Sequence, residues 1–149
     1  MKLMIATAAI VLAGSGAAFA QDAAAGEKEF NKCKSCHMIV ADDGTEIVKG
    51  GRTGPNLYNI IGRKAGTVAD FRYGDSIVAA GEAGLVWNEE TFVAYVQDPK
   101  GFLAEFLGDS GARSKMSFRL RSGMEDVYAY LVTVSPDADT VHEGTGSGS

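Results

Sequence analysis

The string Cys33-Lys34-Ser35-Cys36-His37 constrains this chain more than any other feature, because it holds both of the cysteines in 149 residues. What a C-x-x-C-H string does depends on the compartment, and the N-terminus bears on that. Met1-Lys2 gives a short positive start, Leu3 to Leu12 is an apolar run, and Ala18-Phe19-Ala20 is an A-x-A cleavage pattern. The run is too short to serve comfortably as a permanent bilayer span. Residues 1–20 therefore read as a cleaved signal peptide, and the mature chain is expected to start at Gln21 as an exported, soluble protein. Three chemistries compete for the cysteines. A C-x-x-C redox motif normally sits in a βαβ pattern, and none is found nearby. Zinc needs two more ligands, and the only other histidine is His142, in a Gly/Ser-rich tail. The third is covalent haem c. The thiols of Cys33 and Cys36 add across the two vinyl groups, a helical turn sets both sulfurs along one porphyrin edge, and His37 places its imidazole on the iron.

A haem iron held by one histidine has a second face, and what fills it decides the function. An open face suits gas binding or peroxide chemistry; a face closed by protein suits electron transfer. His142 would have to come from the tail. Met1 and Met4 leave with the signal segment, Met38 adjoins His37, and Met124 opens the last helix. Met116, in Ser114-Lys115-Met116-Ser117-Phe118 after a Gly-containing loop, is the expected second ligand.

Helical signals dominate the mature chain. Gly26, Phe30 and Cys33 recur at i, i+4, i+7, which predicts a helix from Asp22, as N-cap, to about Cys33. Residues 41–56 carry Gly44, Gly50, Gly51, Gly54 and Pro55 and read as a loop. Asn88 is a good N-cap for a helix over Glu89 to Gln97, with Trp87 and Phe92 placed as a hydrophobic staple. Pro99 can open another helix at N1, capped by Asp98 and ended by Gly108. Ser122-x-x-Glu125 reads as a capping box for a last helix bearing Val127, Tyr130, Leu131 and Val134, stopped by Pro136. Residues 137–149 have almost nothing to bury and are expected to be a disordered acidic tail. No stretch shows sustained period-two alternation, so the domain, 21–136, is expected to be all-α. So small a chain has a modest core of its own, which a large apolar macrocycle would complete.

Taken together, Cys33-x-x-Cys36-His37, Gly54-Pro55-Asn56-Leu57-Tyr58, Gly62-Arg63, Phe71-Arg72-Tyr73, Trp87, Tyr95, Asp98-Pro99-Lys100, Lys115-Met116 and the aromatic last helix resemble a class I cytochrome c. The resemblance is to the long periplasmic carriers of purple bacteria and their alphaproteobacterial relatives, the c2 and c-550 types, and covers Gly26 to Val134. It implies helices and loops wrapped around one covalent haem. It implies that the Pro55 carbonyl accepts from His37 Nδ1–H, that Tyr95 lies near the Met116 sulfur, and that Arg63, Tyr73, Trp87 and Ser114 hydrogen-bond the haem propionates. Gly26 would let the first and last helices cross closely. Asn59 stands where glycine is common, and no function is attached to it. The resemblance also implies a periplasmic carrier, not an enzyme, that takes electrons from a cytochrome bc complex. Its acceptor would be a terminal oxidase, a photosynthetic reaction centre or another periplasmic protein.

Charge placement speaks to partners. The net charge is −5, which argues against nucleic acid. The charges are nonetheless segregated. Lys100, Arg113, Lys115, Arg119 and Arg121 outnumber Glu105 and Asp109 between Pro99 and Arg121, whereas the residues from Ser122 onward carry anions only. Lys32 and Lys34 flank the cysteines. Lys32, Lys34, Lys100, Lys115 and Arg119 are expected to ring the exposed haem edge of a monomer and to dock acidic redox partners.

Overall fold

The computed structural model of the protein describes residues 21–138; the expected signal peptide, 1–20, and residues 139–149 of the expected tail lie outside the described residues. Among the described residues five α-helices follow one another: α1 (Ala23–Glu29), α2 (Asp75–Glu82), α3 (Glu89–Gln97), α4 (Pro99–Leu107) and α5 (Met124–Thr133).

Local chemistry starts most of them where the sequence predicts. The Asp22 carboxylate caps α1 by accepting from the Ala24 and Ala25 N–H groups at 2.8 and 3.2 Å. The helix tightens into a 3-10 turn at Phe30–Lys32 that delivers the chain to Cys33. Asn88 and Thr91 cap α3 reciprocally, with Asn88 Oδ1 accepting from Thr91 N–H at 2.9 Å and Thr91 Oγ1 accepting from Asn88 N–H at 3.0 Å. Trp87 and Phe92, the staple pair, are both buried. Pro99 opens α4, the Asp98 side chain accepts from Gly101 N–H at 3.2 Å, and Gly108 ends it at φ 62°.

The ends of the domain hold each other. α1 lies across α5 with Gly26 at the crossing. A Cβ there would stand 1.8 Å from the Asp126 carbonyl oxygen, so only glycine permits the approach. The Asp22 N–H donates to the Asp126 carboxylate at 2.9 Å, and the Phe30 and Tyr130 rings meet with centroids 5.6 Å apart.

Four features depart from the sequence reading. Helix α2 is absent from the sequence reading, although Ile77, Ala80 and Gly81 recur at i, i+3, i+4 and turn to the core. β1 (Ile39–Val40), just before the expected 41–56 loop, and β2 (Glu46–Val48), inside it, make a small antiparallel hairpin with an irregular register, too short to alternate visibly. The Ser122 capping box does not form. The chain enters α5 through Gly123 in the left-handed region, φ 71°, with no side-chain cap, which takes Ser122 out of capping position. Finally, packing runs past Pro136. Ala138 is buried, and Asn59 and Asp137 bond reciprocally, amide to carboxylate at 2.6 Å and Asp137 N–H to Asn59 Oδ1 at 3.1 Å. Asp137 and Ala138 therefore belong to the folded domain rather than to a disordered tail. Asn59 takes φ 54°, a conformation asparagine tolerates better than most residues.

Between the helices, residues 62–65 pair with 85–87. Gly62 N–H donates to the Trp87 carbonyl at 2.8 Å, Trp87 N–H to Arg63 at 3.0 Å and Ala65 N–H to Leu85 at 2.9 Å. This pairing fixes Trp87 against the core, where Phe30, Ile39, Leu85, Leu103, Val127 and Leu131 are almost wholly buried.

Candidate haem site

The attachment string forms a turn. Cys36 N–H and His37 N–H both donate to the Cys33 carbonyl, at 3.1 and 2.9 Å, which winds the two sulfurs and the imidazole around one helical turn. Burial, first, and the neighbouring Cys36 push the free Cys33 thiol up to about 11. Cys36 is exposed, and the Thr53 and Ser35 hydroxyls hold its thiol below the usual value.

His37 is fixed from behind. Its Nδ1–H donates to the Pro55 carbonyl at 2.8 Å. A neutral imidazole with a proton on Nδ1 leaves Nε2 as the lone-pair donor that a metal needs. Burial pushes the ring's pKa down, outweighing the bond to Pro55, and so favours that neutral form. Gly54 makes this possible. A Cβ on it would lie 2.3 Å from His37 Cε1 and 2.6 Å from Nδ1.

Cys33, Cys36, His37 and Met116 border a single cavity of about 280 Å³, with Tyr73, Trp87, Tyr95 and Ser114 in the same wall. Of Met38, Met116 and Met124, only Met116 borders it. The remaining wall is mainly apolar: Phe30, Ile60, Phe92, Val96, Leu120, Val127 and Leu131 from the core, with Phe71, Ile77 and Phe118 nearer the surface. A paired thiol attachment, an oriented imidazole, a thioether and a largely apolar enclosure form the donor set and surroundings that a covalent haem requires.

The other anticipated residues are placed unevenly. The Tyr95 and Ser114 hydroxyls lie 3.5 Å apart, and Ser114 Oγ accepts from Met116 N–H at 3.1 Å. Tyr95 thus connects to the methionine segment through Ser114. Burial raises its phenol pKa, with the Ser114 bond acting against the shift. Arg63 does not line the cavity. Its Nε donates to the Asn59 carbonyl at 3.1 Å, and its charge acts on Tyr73, whose phenol burial raises. Of the expected docking cations, Lys32 pairs with Glu29 and lines the cavity. Arg119 pairs with Asp98 at 2.9 Å. Lys115 donates to the Arg72 carbonyl at 2.6 Å. Lys34 and Lys100 are exposed. Arg113, which was not among those expected, also lines the cavity. Sequence reasoning missed Ile77 and Ser76 because both ride on the unforeseen α2.

No family model matches the chain, but individual proteins do. Cytochrome c-551 of Roseobacter denitrificans is 64% identical over 136 residues, covering 89% of this chain and 97% of that protein. Cytochrome c2 of Rhodobacter capsulatus is 60% identical over 127 residues, 85% of this chain and 91% of that one. The X-ray structure of ferric cytochrome c-550 from Paracoccus versutus superimposes with a TM-score of 0.75 at 55% identity, covering 77% of this chain and 98% of that structure. Likeness at this level and over this length extends to the whole described domain, and the chain belongs to the class I cytochromes c, in the c2/c-550 group with its single covalent haem c.

Proposed function

We propose that this protein is a periplasmic carrier that passes single electrons from a cytochrome bc complex to a terminal oxidase, a photosynthetic reaction centre or another periplasmic acceptor, and that it is not itself an enzyme. The coarser statement, a single-haem electron carrier, follows from its family. The observation that supports a carrier over an open-faced haem protein is the sharing of one cavity by Met116 and His37; donor, acceptor and compartment rest on the likeness to the c2 and c-550 carriers. When bound, the haem supplies an iron that cycles between Fe(II) and Fe(III). The chain does the rest. Cys33 and Cys36 hold the group covalently, and His37, oriented by Pro55, donates Nε2. Met116 would hold the iron through its sulfur. Tyr73, Trp87 and Ser114 offer donors to the propionates, and Arg63 adds positive charge beside Tyr73.

The test is a visible spectrum with a single variant. The ferric protein should show the weak far-red band of methionine sulfur on iron. Met116→Leu should abolish it and lower the reduction potential, since a thioether favours Fe(II). A ferric protein without that band, binding azide or peroxide at once, would instead be a five-coordinate haem protein.

A further inference from the structure

Met116 sits in a strap between two buried anchors. Upstream is Ala112; downstream is Leu120, whose N–H donates to the Val96 carbonyl at 2.8 Å. The residues between them are mostly exposed, so burial does little to hold the strap down. Hydrogen bonds from three different parts of the fold hold the residues just before the methionine. Ser76 Oγ, in the first turn of α2, accepts from Arg113 N–H at 2.9 Å. Tyr95 on α3 reaches Ser114. The Arg72 carbonyl accepts from Lys115 Nζ at 2.6 Å.

These fastenings differ in kind. The Lys115 bond comes from a long, exposed side chain with many rotamers to lose. The Tyr95–Ser114 contact is long. The Ser76 bond is of ordinary length, grips the backbone itself, and joins the strap to a segment 37 residues away. It sets how far toward Met116 the strap is tied down, because it holds the backbone one residue past the buried Ala112.

We propose that Ser76 is a positioning residue that keeps the strap closed and so limits access of external nitrogen ligands to the iron face covered by Met116. This rests on the reading of Met116 as an iron ligand. An external ligand binds only the open form, so its apparent affinity scales with the open fraction. Losing one backbone-to-hydroxyl bond from the closed form raises that fraction about fivefold.

Imidazole titration of the ferric holoprotein tests this. Ser76→Ala should bind imidazole about fivefold more tightly, and Ser76→Thr, which keeps the hydroxyl, should return to the parent value. A bond that served stability alone would lower the guanidinium midpoint of Ser76→Ala without moving imidazole affinity, and that result overturns the proposal. Amide exchange in the unmodified ferrous protein gives a second readout that needs no variant. The exposed Arg113 N–H should exchange slowly, and fast exchange there would equally overturn it. Neither exchange nor Ser76→Thr depends on which residue ligates iron. The failure of Met116 as ligand would show separately, in a far-red band unaffected by Met116→Leu.

Discussion

Gly54 stands so close to the His37 imidazole that its missing side chain is part of the ligand's mounting. The ring lies where a Cβ would go, 2.3 Å from Cε1, with the next residue's carbonyl on Nδ1. Gly54→Ala must push either the ring or the 53–55 backbone aside. Overpacking of this kind costs about 1–3 kcal/mol, and guanidinium unfolding of the holoprotein should show a loss in that range. A variant as stable as the parent would mean that the ring has room to move. At this scale much of the site was legible. The attachment string and Pro55 announce themselves by residue type, and Met116 emerges by elimination among few methionines. Arg63 was harder to place, because its backbone partner, Asn59, is set by a left-handed turn that no local pattern encodes. The Ser114 hydroxyl was assigned to the propionates, yet it also bonds Tyr95 and the Met116 amide, a junction visible only once the helix and strap are packed together.

Elements were legible where they carry their own punctuation. Asp22, Asn88 and Asp98 cap the helices they were expected to cap. Helix α2 escaped notice because it has no side-chain cap and wholly buries only small residues. At Gly81 a Cβ would come 2.0 Å from the Ala65 carbonyl, so close backbone fit adds to the Ile77, Ala80 and Gly81 face in holding the helix. The α5 boundary was misread because Ser122 and Glu125 have capping-box spacing, and nothing local reveals that Gly123 turns left-handed between them. The crossing of α1 and α5 depends on a single residue. Gly26→Ala would set a methyl 1.8 Å from the Asp126 oxygen, against backbone that cannot rotate away. The helices must separate, loosening Phe30 from Tyr130. The expected loss is about 3 kcal/mol, at the upper end of overpacking, read as a lower guanidinium midpoint with an unchanged slope. Gly54→Ala lies in a different part of the fold, and its effect should add to this one.

For the whole molecule, net charge and local charge point in opposite directions. Lys32, Arg113 and Lys115 border the cavity, Lys34 is exposed beside the cysteines, and screening at physiological salt confines their field to roughly 8 Å. Charge reversal at Lys34 should therefore slow second-order electron transfer to an acidic partner and flatten its dependence on ionic strength. Lys32→Glu should act more weakly, since Glu29 already offsets that charge. Stopped-flow rates that rise with salt would place the docking face elsewhere. The cavity wall has a further consequence, for biogenesis. Phe30, Trp87, Tyr95, Val127 and Leu131 belong at once to the protein core and to the haem enclosure. Close packing tolerates few voids, and each methylene facing one costs stability. Without the haem, the chain therefore has no compact packing that satisfies these side chains. Its two thiols stay within reach of the ligating machinery, and the chain stays within reach of proteases. Haem attachment should therefore precede collapse of this core, and the unattached chain should be cut by protease far faster than the holoprotein.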